Sequence, residues 1–189
     1  MQRRLFGIFL FLSLSLLGWA HVSYGASFTA DLVLTQNNRV NTGRIYVRDN
    51  LIRQEYNLKS ESRITIIRAD RGRLWTLMPN SRTYVEVAYL GTGTDLKAYG
   101  VKAGDIRETR VAGTETLNGY PCNVIEYVFS DTKLKLTQWV SPKLNYPVKT
   151  EFHGLNGLKL SEEIKNISET TLQESLFEIP PGYQKMAFQ

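Results

Sequence analysis

The feature that most constrains the fold is a succession of short segments in which apolar and polar residues alternate, separated by turn-forming pairs. In residues 28–34 every even position is apolar, which is the two-residue period of a half-buried β-strand. Pairs such as Asn37-Asn38, Asp49-Asn50 and Asn118-Gly119 favour tight hairpins between consecutive segments. About ten or eleven strands follow one another in this way, without a convincing βαβ unit. The pattern predicts a mostly β chain built on one antiparallel sheet.

The N-terminus has the composition of a cleaved signal peptide. Arg3 and Arg4 precede the apolar run 5–17, which is shorter than the roughly 20 residues that a membrane-spanning helix needs. Small residues allow cleavage after Ala20, Gly25 or Ala26. We therefore predict a signal peptide at 1–25, a single domain at 26–189, and a periplasmic location. No cysteine lies near these cleavage sites, so we do not expect the chain to be a lipoprotein.

The composition excludes several kinds of chemistry. The formal net charge of +5 is mild and spread along the chain, so it does not indicate nucleic-acid binding. Cys122 is the only cysteine, which excludes an internal disulfide, and His153 is the only histidine beyond the predicted signal. A single cysteine and a single histidine in the predicted mature chain disfavour zinc sites and catalytic Cys–His pairs. We expect no metal, no cofactor and no enzymatic activity.

The individual reactive residues have simpler roles in this interpretation. His153 follows a strand and precedes Gly154, so we expect a solvent-facing turn residue. Cys122 is expected to be a buried small apolar residue. Glu162 and Glu163 are adjacent in a strand, so their side chains should point to opposite faces and not share a proton. The glycines of 91–94 lack the pattern of a phosphate-binding loop, and residues 89–104 are expected to form a loop with at most one helical turn.

Several predicted strands carry apolar residues on both faces. In residues 74–78, Leu74 and Met78 oppose Trp75 and Leu77. A sheet with one face in water would have a mostly polar side there. Both faces must therefore be covered, by a helix, by curling of the sheet, by a partner or by a ligand. The pattern alone leaves open whether a closed core or a groove for an apolar molecule results.

The order of the strands resembles a known family. The stretches that carry the resemblance are 43–55 (GRIYVRDNLIRQE), 73–84 (RLWTLMPNSRTY), 113–122 (GTETLNGYPC), 139–141 (WVS), 146–149 (YPVK) and 176–183 (LFEIPPGY). Together they resemble the LolA/LolB-like superfamily of outer-membrane lipoprotein-sorting proteins over nearly the whole predicted mature chain. The resemblance implies an unfinished half-barrel, a curled sheet of about 11 strands with short lid helices.

The resemblance also implies a function, with two departures. Family members hold acyl chains of lipoproteins, or sense envelope cargo, in the concave cavity. Receptors of the LolB type are lipidated near the cleavage site, and this chain has no cysteine there. The carriers place a lid-locking arginine beside a proline, whereas Arg48 is followed by Asp49-Asn50, so that role is not assigned to Arg48.

Two functions follow as expectations. The first is a periplasmic carrier or chaperone that holds a lipid or an acylated protein. The second is a non-enzymatic accessory or sensor subunit of an envelope complex, with a side-chain-filled cavity. An envelope complex or a membrane transporter is the expected kind of protein partner. The candidate cavity residues are Leu32, Leu34, Ile45, Val47, Ile64, Ile66, Trp75, Leu77, Val85 and Val87.

Overall fold

A computed structural model describes most of the chain beyond the predicted signal. The described residues are 26–57, 61–89, 105–131 and 133–186. The predicted signal peptide at 1–25 and the predicted loop after Tyr89 lie outside these ranges, and so do the glycines of 91–94.

Within these ranges the chain forms one open, curled sheet of twelve strands. The first six strands are β1 (Ser27–Gln36), β2 (Arg39–Arg48), β3 (Leu51–Asn57), β4 (Ser62–Arg68), β5 (Arg73–Met78) and β6 (Thr83–Ala88). The remaining six are β7 (Ile106–Leu117), β8 (Tyr120–Phe129), β9 (Lys135–Ser141), β10 (Tyr146–His153), β11 (Lys159–Glu169) and β12 (Gln184–Lys185). The predicted mostly β half-barrel is thus confirmed.

Apart from β12, neighbouring strands of the sheet are consecutive in the sequence within two runs, β1 to β6 and β7 to β11. The sheet reads β12-β6-β5-β4-β3-β2-β1-β11-β10-β9-β8-β7. Strand β1 joins the two runs by pairing with both β2 and β11, and every pairing is antiparallel except that of β12 with β6. The helices among the described residues are three short 3-10 turns, Ala69–Arg71, Leu155–Gly157 and Glu174–Phe177.

The turn residues account for the tight hairpins. Asn37 and Asn38 both have positive φ, 47° and 71°, and so do Asn118 and Gly119 at 51° and 84°. Positive φ at both central residues gives the turn a twist that matches the twist of the flanking strands, and Asn and Gly tolerate it best. These two hairpins set the registers of β1 with β2 and of β7 with β8.

One face of the sheet is concave. The amide Nε2 of Gln54 on β3 lies 3.5 Å from Oε1 of Glu162 on β11. Two other strands separate β3 from β11, which is roughly 14 Å in a flat sheet. The sheet must therefore curl strongly around this side, which we call the inner face.

Buried apolar residues fill the inner face in two clusters. The larger cluster joins β1–β5 to the opposite wall and contains Phe28, Ala30, Leu32, Leu34, Ile45, Val47, Ile52, Tyr56, Ile67, Leu74, Cys122, Leu144, Tyr146, Val148 and Ile164. The smaller cluster lies on β8–β11 and contains Ile125, Tyr127, Phe129, Leu134, Leu136, Phe152 and Leu160. An edge-to-face contact of Phe28 with Tyr146, at 5.6 Å between ring centroids, links β1 to β10.

The C-terminal strap, which we define as residues 170–186, covers the outer face of β2–β6. Its side chains Leu172 and Phe177 pack among Leu51, Ile66 and Leu77, and Phe177 is fully buried. Its last residues form β12 on the edge of β6. The two-sided apolar pattern of residues 74–78 is therefore explained, since curling covers one face of that strand and the strap covers the other.

Candidate functional site

The structure divides the predicted cavity residues between the two faces. Those in the inner cluster are Leu32, Leu34, Ile45, Val47 and Val87. Those in the outer cluster beneath the strap are Ile64, Ile66, Trp75 and Leu77. Val85 is buried and, by the alternation of β6, shares the side of Val87. The predicted set therefore does not line one surface, and contact of any member with a ligand remains a prediction.

Strand register is the physical reason for this division. The two-residue turn after β2 pairs Arg48 with Leu51, so Val47 lies opposite Ile52. Strand β4 then places Ile67 opposite Ile52. Because directly paired residues share a face, Ile67 belongs to the inner face and Ile66 to the outer one. The candidates on β4 and β5 come from the more apolar face of each strand, and in the structure that face is the outer one.

A buried polar chain crosses the inner face between the two apolar clusters. The hydroxyl of Tyr56 donates to Oε1 of Gln54 at 3.3 Å, and Gln54 in turn donates to Glu162. Glu162 is only 3% exposed and lies opposite Thr150 on β10. These hydrogen bonds lower the cost of burying polar groups in a core.

The same polar chain continues on the other wall. Gln138 donates to Oγ1 of Thr150 at 3.4 Å and accepts from the hydroxyl of Tyr127 at 2.7 Å. Burial raises the pKa of Tyr127 to about 12, because the phenolate would lose its hydration. This polar chain was not predicted from the sequence, although Gln54 lies two residues from Ile52 and from Tyr56 and so shares their face.

Arginines from three neighbouring strands hold the strap on the outer face. Arg48 donates to the carbonyl of Leu172 and Arg53 to that of Leu176, both at 3.1 Å. Arg48 thus fastens the strap in this structure.

Arg68 provides the third attachment. It is 2% exposed and donates to both carboxylate oxygens of Asp70 at 2.9 and 2.7 Å. It also donates to Glu174 at 2.9 Å, and to Glu178 by a short contact. The hydrogen bonds to Asp70 are the largest influence that raises the pKa of Arg68, and the same bonds lower the pKa of Asp70.

The reactive residues have the exposure that the sequence predicts. His153 is exposed, although it is the last residue of strand β10 and not a turn residue, and Cys122 is 1% exposed in the larger inner cluster. Glu162 and Glu163 point to opposite faces, one buried and the other partly exposed. Across the described ranges, no group of three His, Cys, Asp or Glu residues is arranged to hold a metal ion. No helix in those same ranges has the length and apolar character to cross a membrane.

Cys122 is expected to be unreactive in the folded protein. Burial raises the pKa of its thiol, and its sulfur donates to the carbonyl of Tyr120 at 3.3 Å. Since the thiolate is the reactive form, labelling by a disulfide reagent at pH 8 should be roughly tenfold or more slower than in urea-unfolded protein. Equal rates in the two states would contradict the buried position.

The architecture is that of an open antiparallel half-barrel with a packed inner face. Residues 29–146 match the model of a family described as a domain of unknown function, DUF4412, and the chain belongs to this family. No curated protein matches the sequence.

Solved structures share the fold at low sequence identity. An uncharacterized conserved protein from Thermus thermophilus is 14% identical, with a TM-score of 0.61, over 86% of this chain and 90% of that one. MucB, in the MucA/MucB complex of Pseudomonas aeruginosa, is 14% identical with a TM-score of 0.54. That match covers 82% of this chain and 56% of the other, so this chain spans little more than half of it.

LolA superfamily proteins are also among the matches, as the sequence resemblance predicts. NE2245 from Nitrosomonas europaea is 14% identical over 81% of this chain and 90% of that one, with a TM-score of 0.41. At that score the two structures differ too much for their sites to be compared.

Proposed function

We propose that this protein is a non-enzymatic binding subunit of a protein complex in the bacterial envelope, with its half-barrel as a packed scaffold. The observation that carries the proposal is the filled inner face. Ile45 and Leu32 are fully buried by other side chains of the chain itself. Because side chains already occupy the inner face, the surfaces left for a partner are the rim and the outer face of the half-barrel, and not an empty cavity.

The polar chain of the inner face supports the same conclusion. Gln54 and Glu162 meet across the space in which an acyl chain would lie. Inserting an acyl chain there would separate these groups and leave polar atoms against hydrocarbon, at a cost of about 1–3 kcal/mol each.

The likeness to MucB adds support, since MucB was solved in complex with MucA. A fold that binds another protein in one case is a suitable scaffold for doing so in this one, although fold alone does not determine function. The predicted signal peptide supports a periplasmic location for such a complex.

A second candidate function is the carrier of a lipid or an acylated protein. It is favoured by the continuity of the large inner cluster, which runs without interruption from β1 to β5 and onto the opposite wall. For this function the walls must separate to admit the cargo, so the structure would represent the empty, closed state.

Native mass spectrometry of protein purified without detergent distinguishes the two functions. We expect a lipid-free mass, no gain in melting temperature with added phospholipid, and elution from gently prepared envelope extract as a complex of fixed stoichiometry. A stoichiometric bound lipid, together with elution as a monomer, would overturn the proposal in favour of the carrier. Elution as a lipid-free monomer whose melting temperature does not rise with added phospholipid would overturn both.

A further inference from the structure

A row of basic residues crosses three strands on the outer face of the second half of the sheet. His153 on β10 lies directly opposite Lys135 on β9 and Lys159 on β11. All three side chains are exposed. The two lysines lie on either side of the imidazole. Their strands are two strand spacings apart, which is about 10 Å.

This row is electrostatically unfavourable by itself. Like charges on neighbouring strands repel, and a protonated His153 would add to the repulsion. Neither Lys135 nor Lys159 forms an ion pair with a described carboxylate. By contrast, Lys149 is bound to Glu151 at 2.6 Å. The row therefore has uncompensated positive charge at a fixed place on a rigid sheet.

Two surface pockets meet at this row. One has a volume of about 290 Å³ and includes His153, Lys159, Asn38 and Ser161 in its lining. The other has a volume of about 310 Å³ and includes His153 and Lys135. The first pocket thus combines a cationic group with amide and hydroxyl donors, which are the groups that bind phosphate oxygens.

The carboxylates nearby are already neutralised. Glu151 lines both pockets, but its carboxylate is bound to Lys149. Glu126 lines the second pocket and is bound to Arg110 at 2.6 Å. Each acid is paired with its own cation, so the net charge that remains in the two pockets comes from the row.

We propose that Lys135, His153 and Lys159 form a binding site for a phosphate group, from a lipid headgroup or from a soluble phosphate. The ammonium groups of the two lysines bind the phosphate oxygens from either side. His153, on the strand between them, donates a hydrogen bond to the same phosphate group. The site lies on the outer face and does not depend on what the inner face binds. It goes beyond the proposed function, which can fail without affecting this site.

The test compares the purified protein with the variant Lys135→Gln/Lys159→Gln. Isothermal titration with inorganic phosphate in low-salt buffer is one arm. Co-sedimentation with phosphatidylcholine vesicles, with and without phosphatidic acid, is the other arm. We expect the variant to bind about tenfold or more weakly, because each lysine supplies a charge-assisted hydrogen bond. Its melting temperature should be unchanged or higher, since repulsion is removed.

The variant Lys143→Gln/Lys165→Gln is the matched control, because it removes the same charge from lysines that already pair with Glu169 and Glu163. We expect it to change the affinity by less than about twofold. Binding of inorganic phosphate supports a soluble source, and binding confined to phosphatidic acid vesicles supports a headgroup. The absence of binding in both arms, or an equal loss in both variants, would overturn the site.

Discussion

Replacing Arg68 by methionine should lower the free energy of unfolding by about 2 kcal/mol, because the buried guanidinium loses its charge-assisted hydrogen bonds to three partly exposed carboxylates. Methionine keeps much of the volume of the arginine but none of its donors. Asp70, Glu174 and Glu178 would then be near one another with only Arg71 to neutralise them. Urea unfolding followed by circular dichroism measures the loss.

The same substitution should loosen the strap before the sheet unfolds. Phe177 of the strap has no exposed surface, and Arg68 attaches Glu174 and Glu178 on either side of it. Limited proteolysis should therefore cut the variant within residues 170–186 under conditions in which the parent protein resists. Cleavage elsewhere first would contradict this order of events.

The stability should also respond to acid through Asp70. Arg68 lowers the pKa of Asp70 in the folded state, so this carboxylate stabilises the fold above its ordinary pKa range. That contribution is lost as the pH falls through the lowered pKa. Arg68→Met abolishes the cause of the shift, so the variant should lose less stability on acidification than the parent protein.

Arg73→Met is the matched control for these measurements. Arg73 lies directly opposite Arg68 on β5 but is half exposed, with a loose pairing to Glu86 at 3.9 Å. Exposed pairs of this kind contribute at most about 1 kcal/mol. If Arg68→Met were as stable as Arg73→Met, the buried network would not be what holds the strap.

The local parts of the fold were predictable from the sequence. Hairpin turns such as Asn118-Gly119 depend on residues that tolerate positive φ, and these are visible in the sequence. Strand lengths were less predictable. Strand β7 runs to Leu117 through an irregularity between Val111 and Gly113. A bulge of this kind breaks the alternation from which strand length is inferred.

The long-range parts could not be predicted in the same way. Which face of β4 turns inward depends on its register with β3, and alternation alone allows either choice because Ile66 and Ile67 are both apolar. The position of the strap depends on contacts of Arg48 and Arg68 with residues more than 100 positions away. The row of Lys135, His153 and Lys159 likewise exists only because two strand registers coincide.

A charge in the inner cluster should prevent folding altogether. Ile45 is fully buried among residues of the large cluster, at the middle of that wall. The substitution Ile45→Glu would place a carboxylate there without a cation or solvent, at a cost of several kcal/mol, which is comparable to the whole stability of a domain. We expect the variant to lack a cooperative thermal transition.

The control for this result lies on the same strand. Val40 on β2 is 61% exposed, so Val40→Glu should change the free energy of unfolding by no more than about 0.5 kcal/mol. An Ile45→Glu protein that melts like Val40→Glu would show that the inner face opens to water, as a carrier requires, because only solvent could stabilise the new carboxylate. Loss of folding in Ile45→Glu alone would show that the inner face is a closed core. The pair of variants therefore tests the packed scaffold on which the proposed function depends, independently of any bound lipid.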